Sequence, residues 1–208
     1  MRREAPAAAR NRQPILDVLG PRLPAGGLVL EIASGTGEHI VHFAAARPDV
    51  FFQPTDPGSE DRASTDDWVR TLGLANVRPA LALDASADRW PVERADAIVC
   101  INMVHISPWA ATVGLLAGAA RVLSPEGLLY LYGPYHRDGK PTSPGNHAFD
   151  LDLQRRNPAW GIRHLEEVTA LAATHGFAAP TVVAMPANNL SLVFKLRTVV
   201  TGRPDQAG

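Results

Sequence analysis

The residues Leu28-Val29-Leu30-Glu31-Ile32-Ala33-Ser34-Gly35-Thr36-Gly37 constrain this chain more than any others. The first half is a branched apolar run, the pattern of a strand covered on both faces. The second half is a turn of small residues, after which Ile40, Val41, Phe43 and Ala44 recur at helical spacing. Strand, glycine turn and helix in that order bring bare backbone and a helix N-terminus to one point, a shape suited to a ligand. A ligand resting on main chain leaves no room for Cβ atoms, and such a turn can need positive φ, so glycine serves there. Glu31 stands inside the apolar strand, where an unpaired charge is costly. The strand therefore predicts a partner for it, either a cationic ligand group or a cluster of N–H donors. The spacing departs from the dinucleotide fingerprint, because no third small residue stands at position 40, where the chain has Ile40.

The rest of the chain repeats the strand-then-helix rhythm. Further strands are expected at 50–55, 78–83, 97–101 and 128–132, and a closing pair at 181–184 and 190–196. Helices are expected at about 37–46, 65–74 and 164–175, the last ending at Gly176 as a left-handed cap. Another runs from Ser107-Pro108, with Ser107 as N-cap, to Leu123, with Val113, Leu116, Ala120 and Leu123 inward. A short helix starts at Pro14, preceded by an arm of about residues 1–13. Alternation of this kind gives an α/β fold, a doubly wound sheet of seven strands, mostly parallel, with an antiparallel C-terminal hairpin strand. Ligands of such sheets lie beyond the carboxyl ends of the strands. The glycine turn, Asp56, Asp84-Ala85 and Asn102 all fall on that edge. Asp56 ends the second strand about 20 positions beyond the glycines, where an acid can accept both hydroxyls of a ribose. The same Asp56-Pro57-Gly58-Ser59 run also suits a plain turn.

Composition narrows the function. Lys plus Arg number 20 against 21 Asp plus Glu in 208 residues, a balance that favours neither a nucleic-acid partner nor an anionic membrane. No apolar run reaches the roughly 18 residues of a membrane span, and no apolar signal-peptide region follows Met1-Arg2-Arg3-Glu4. A single cysteine, Cys100, excludes an internal disulfide framework and fits a cytoplasmic, reducing setting. One domain, with a tail at about 198–208, acting as a monomer or homodimer, is the expectation for this length. Residues 133–147 lack periodicity, and the stretch 133–162 reads as a lid or substrate loop. Arg10 and Asn11 could fold over the site and bind a carboxylate. His39 and His42 lie three apart on a helix, but no acid or thiol stands at metal-ligand spacing, so no metal site is expected.

The glycine turn resembles the first motif of the class I S-adenosylmethionine-dependent methyltransferases, E/D-x-G-x-G-x-G, with Ala33 in place of the first glycine. More narrowly, the chain is similar to the methyltransferase-like family labelled domain of unknown function 938. The segments that carry this are Arg10-Asn11 with Pro14-Ile15-Leu16, Glu31 to Gly37, Cys100 to Trp109, Tyr132-Gly133-Pro134, Arg137-Asp138-Gly139, Thr142-Ser143 to Asn146, Pro158 to Arg163, and Pro186 to Asn189. The resemblance spans about residues 7–197. It implies a Rossmann-like fold and S-adenosyl-L-methionine as methyl donor, leaving S-adenosyl-L-homocysteine. It also implies that Glu31, Ala33, Ser34, Gly35 and Gly37 hold the donor's amino-acid end, with Arg10 and Asn11 beside them. Asp56 would hold the ribose, Asp84 and Ala85 the adenine edge, and Asn102 and Met103 would face the methyl and adenine. His105 is the first candidate for general base, with Asn102 beside it. Tyr132, Tyr135, Arg137, Asn146, Trp160 and Asn188 are expected to line a pocket for a small-molecule acceptor with an oxygen, nitrogen or sulfur nucleophile. Two other readings stand beside this one. One is a nicotinamide-dependent oxidoreductase on a similar sheet. The other is a non-catalytic protein that keeps the donor site as a binding or partner subunit.

Overall fold

A computed structural model describes residues 1–197. Strand β1 (Leu28–Ile32) lies between β2 (Phe51–Thr55) and β3 (Ala95–Ile101), parallel to both. Strand β4 (Leu123–Pro134) pairs parallel with β3, and β6 (Asn189–Lys195) runs antiparallel to both β4 and β5 (Thr181–Met185). The sheet order is β2-β1-β3-β4-β6-β5, so the expected α/β, mostly parallel sheet with one reversed strand near its end is present.

Successive strand side chains point to opposite faces, and the strands divide accordingly. Leu30, Ile32, Ile98, Cys100, Leu129 and Leu131 enter one core, under α4 (Trp109–Val122) and α6 (Leu165–Thr174). Val29, Ala97, Val99, Ile101, Leu128 and Tyr130 enter the other, under α1 (Pro6–Leu19) and α2 (Glu38–Ala46), with Trp68 and Val69 of α3 (Ser59–Leu72) at its margin. Helix α5 (Pro144–Arg156) follows β4.

The structure corrects several expectations. Among the described residues the sheet has six strands, not seven. The stretch at 78–83 runs beside β2 but pairs only through isolated bridges, Phe52 to Val77 and Thr55 to Leu81. Pro54 and Pro79 each lack an N–H, which breaks the ladder there. Most of the arm expected at 1–13 is instead helical, because α1 begins at Pro6 and runs through Pro14. The buried Glu38 carboxylate accepts the Ala5 N–H and ties the start of α1 to the glycine turn. The loop at 133–162 contains α5, capped by the Ser143 hydroxyl, which accepts the Asn146 N–H. That helix has exposed apolar residues, Phe149 and Leu151, so helical periodicity of a buried face was absent from its sequence. Ser124 to Gly127, turn-like in sequence, lies within β4, where the register with β3 shifts between Ala95 and Ala97. Helix α4 begins after Pro108 with no side-chain cap, and its inward face carries Thr112, Leu115, Leu116 and Ala119, one step from the expected Val113 and Ala120. The tail at 198–208 lies outside the described residues.

Candidate active site

The ends of β1, β2 and β3 open into a cleft of about 450 Å³. Ala33 and Gly35 come from the glycine turn, Asp56 and Pro57 from the end of β2, and Asp84 and Ala85 from the segment beside it. Met103, Ile106 and Ser107 come from the turn after β3, and Trp160 from the turn after α5. The loops that the sequence placed on one edge do therefore meet at one cleft.

The two glycines do different work. Gly35 has φ of +54°, and a Cβ there would meet nothing within 4 Å, so its backbone faces open space. Gly37 has φ of +89°, and a Cβ would lie 2.6 Å from the Thr65 hydroxyl oxygen. Gly37 is thus needed for the approach of α3 rather than for a ligand. Ala33 also holds a left-handed conformation, φ 57°, at a cost on the order of 1 kcal/mol that glycine would avoid.

Asp56 closes the turn. Its Oδ2 accepts the Gly35 N–H at 3.0 Å and its Oδ1 the Gly58 N–H at 2.8 Å. Burial raises its pKa, and the two amides act in the opposite direction. Asp84 is exposed, and its Oδ1 accepts from the Ser86 N–H and hydroxyl, which holds its carboxyl below the usual range. Glu31 is buried beneath the turn. Burial pushes its carboxyl up to about 8, opposed by a hydrogen bond with Ser34 and reinforced by Asp56. Its Oε2 has no hydrogen-bond partner among the described residues. Ser34 fastens β1 to β2, its N–H donating to the Thr55 carbonyl at 2.9 Å and its Oγ accepting the Thr55 N–H at 3.2 Å.

A second cavity of about 470 Å³ adjoins the first, and Ile106 lines both. Its walls bring together Arg10 and Asn11 of α1, Asn102 and His105 after β3, Tyr132 at the end of β4, and Asn146 of α5. Asn102 occupies a left-handed conformation, φ 63°, between β3 and the short turn Met103–His105. Burial and the Arg163 guanidinium lower the His105 imidazole to about 4, so it is neutral at ordinary pH. Its ring meets the edge of Phe149 at 5.7 Å between centroids, and its carbonyl accepts the Gly161 N–H at 3.1 Å. Asp150 holds the same turn, accepting the Ile162 N–H at 2.7 Å. Trp160 is thereby fixed in the wall of the first cleft. The Asn146 amide donates to the Thr142 hydroxyl at 2.7 Å and the Asn188 carbonyl at 3.1 Å.

Three of the residues expected from sequence to line a pocket line neither cavity. Tyr135 lies in the core with its hydroxyl unpartnered, because β4 carries it inward past Pro134. Arg137 sits in an exposed turn whose backbone pairs with Lys140, away from both cavities. Asn188 contributes its carbonyl to Asn146 and does not line the second cavity; its neighbour Asn189 does. Trp160, also expected in a pocket, lines the first cleft. Phe149, missed from sequence, lines the second cavity; an exposed aromatic on a polar helix was its only signal. His39 and His42 hydrogen-bond Asn11 and Gln13 and so lace α2 to α1. Among the described residues no group of three or more His, Cys, Asp or Glu side chains could hold a metal. No helix among them is long and apolar enough to cross a membrane.

The model of a family described as "Protein of unknown function (DUF938)" matches residues 2–196. Among solved structures, the chain is similar to CalO1, a methyltransferase in calicheamicin biosynthesis, in its SAH-bound form. The TM-score is 0.74 at 19% identity, over 92% of this chain and 54% of that one. The mitomycin 7-O-methyltransferase MmcR gives a TM-score of 0.76 at 16% identity, over 92% and 55%. An O-methyltransferase family protein from Burkholderia thailandensis gives 0.78 at 17% identity, over 91% and 57%. The chain spans little more than half the length of these proteins, and the likeness establishes the Rossmann-like fold.

Proposed function

We propose, from the premise that this chain belongs to the DUF938 family, that it transfers a methyl group from S-adenosyl-L-methionine to a small-molecule acceptor. The observation that carries this reading is the cleft itself. The open backbone of Gly35, the Asp56 carboxylate at the end of β2 and the Asp84-Ala85 pair converge there, with an orphaned buried carboxyl oxygen on Glu31 behind the turn. These features fit a ligand with a sugar, an amino-bearing base and an ammonium group. A nicotinamide dinucleotide suits them less well, because the fully buried Ile40 stands where its fingerprint needs a small residue.

In this reading Asp56 accepts the ribose hydroxyls, the Asp84 carboxylate the adenine amino group, and the Ala85 N–H donates to an adenine nitrogen. Met103, only 7% exposed, packs against the base, and Glu31 with the Gly35 backbone holds the amino-acid end. The bound donor supplies an electrophilic methyl on a sulfonium. The protein's task is alignment of the reacting atoms, and the shared wall at Ile106 puts the acceptor cavity beside the donor cleft. His105, neutral and buried, accepts the proton of a hydroxyl or amine nucleophile, and Asn102 orients that group. Trp160 and Phe149 limit water at the junction. The buried single thiol of Cys100 suits a reducing cytoplasm.

The test is calorimetric titration with S-adenosyl-L-homocysteine followed by acceptor screening with labelled S-adenosyl-L-methionine. Binding with 1:1 stoichiometry supports the reading, and its absence on folded protein contradicts it.

A further inference from the structure

The second cavity has an uneven chemistry. Among the described residues Arg10 is the one charged side chain in its wall, and no carboxylate lines it. Among the described residues Arg10 forms no ion pair, and it is exposed. Asn11 beside it is oriented from behind, since the His39 Nε2–H donates to its Oδ1 at 2.7 Å. That bond leaves the Asn11 amide N–H groups free of His39, and Asn11, Asn189 and the Tyr132 hydroxyl line the cavity together. The polar end of the cavity is therefore rich in donors. Phe149 and Ile106, which remain 38% and 41% exposed, add apolar surface to the same cavity.

The geometry points to an acceptor that carries a carboxylate on an apolar body, with the carboxylate held by Arg10 and Asn11 and the body on Phe149 and Ile106. An unpaired guanidinium facing a cavity without acids favours an anion, and its planar fork matches a carboxylate. A cationic acceptor would meet like charge and no counter-charge. This assignment rests on the methyltransferase reading of the adjoining cleft.

The experiment uses the full chain saturated with S-adenosyl-L-homocysteine. Binding of that ligand is measured first, so a failure of the donor reading is seen separately. Matched acids and methyl esters are then titrated by calorimetry: benzoate, phenylacetate, 4-hydroxybenzoate and indole-3-acetate against their esters. The expected result is that at least one acid binds about tenfold or more tighter than its ester. In Arg10→Gln that preference disappears and in Arg10→Lys part of it survives, each variant being titrated at its own measured saturation with S-adenosyl-L-homocysteine. Esters that bind as well as acids, an acid preference that survives Arg10→Gln, or no binding by any acid would each overturn the assignment.

Discussion

The Asp56 carboxylate and the Gly35 amide are joined by a 3.0 Å hydrogen bond across the ends of β2 and β1. This bond fixes the glycine turn and orients the acid toward the cleft at once. A carboxylate with backbone partners is worth roughly 1.5–3 kcal/mol per charged hydrogen bond at most, less where solvent reaches it. Asp56→Ala is expected to lower stability by about 1–2 kcal/mol in urea melts and to weaken S-adenosyl-L-homocysteine binding by about tenfold or more. Asp56→Asn, which keeps the shape, should lose the affinity with a smaller stability cost. Donor affinity equal to the parent's in both variants would remove Asp56 from the site.

The two glycines of the turn should respond differently. Gly37→Ala forces a Cβ to 2.7 Å from the Thr65 Cα as well as 2.6 Å from its hydroxyl, so truncating Thr65 cannot fully relieve it. A loss of about 3 kcal/mol or more is expected. Gly35→Ala meets no clash and should cost about 1 kcal/mol from its positive φ, while the new methyl obstructs the cleft and lowers donor affinity. Thermal melts and calorimetry on both variants check this, and similar stability losses would contradict it.

Glu31 makes stability depend on pH in a defined direction. Its carboxyl is raised from 4.5 to about 8 in the folded chain. Between those values the folded state holds a proton that the unfolded state has released. Its contribution is full below about pH 4.5 and is lost as pH rises toward about 8. The slope is at most about 1.4 kcal/mol per pH unit. Glu31→Gln should therefore be more stable than the parent near pH 8 and converge with it toward pH 4.5, measured by urea melts across pH. Parallel curves for the two proteins would show that Glu31 stays ionised and partnered.

His105 is expected to act in the chemical step without holding the donor. His105→Ala should lower kcat by about 10²-fold or more and change S-adenosyl-L-homocysteine affinity little. Because its imidazole is lowered to about 4, it stays neutral above that pH. Activity should then show no inflection near 6.5, the ordinary value. An inflection there that vanishes in the variant would place the titrating His105 in a more solvated setting than the cavity provides.

Much of this was legible in the sequence because local signals agreed. The run at Leu28–Ile32 is apolar on both faces, and acids or amides followed several strands, so the cleft edge could be located residue by residue. Other features depended on distant contacts. Helix α1 reads as an arm because Pro14 looks like a start, yet the Glu38 carboxylate secures the chain at Ala5 and the helix runs through. Tyr135 reads as a pocket residue within the aperiodic stretch 133–147, but the pairing of β4 with β6 continues through Pro134 and carries it into the core. Ala33 reads as a neutral exchange for glycine, whereas its φ of 57° shows strain that composition cannot express. The role of Gly37 was invisible for the same reason, since Thr65 approaches from another helix.

The most direct measurement is titration of the full chain with S-adenosyl-L-methionine and S-adenosyl-L-homocysteine, with Asp56→Ala alongside. The account predicts one micromolar site for each ligand and its loss in the variant. No heat and no thermal shift with either ligand, on protein shown to be folded, would contradict it.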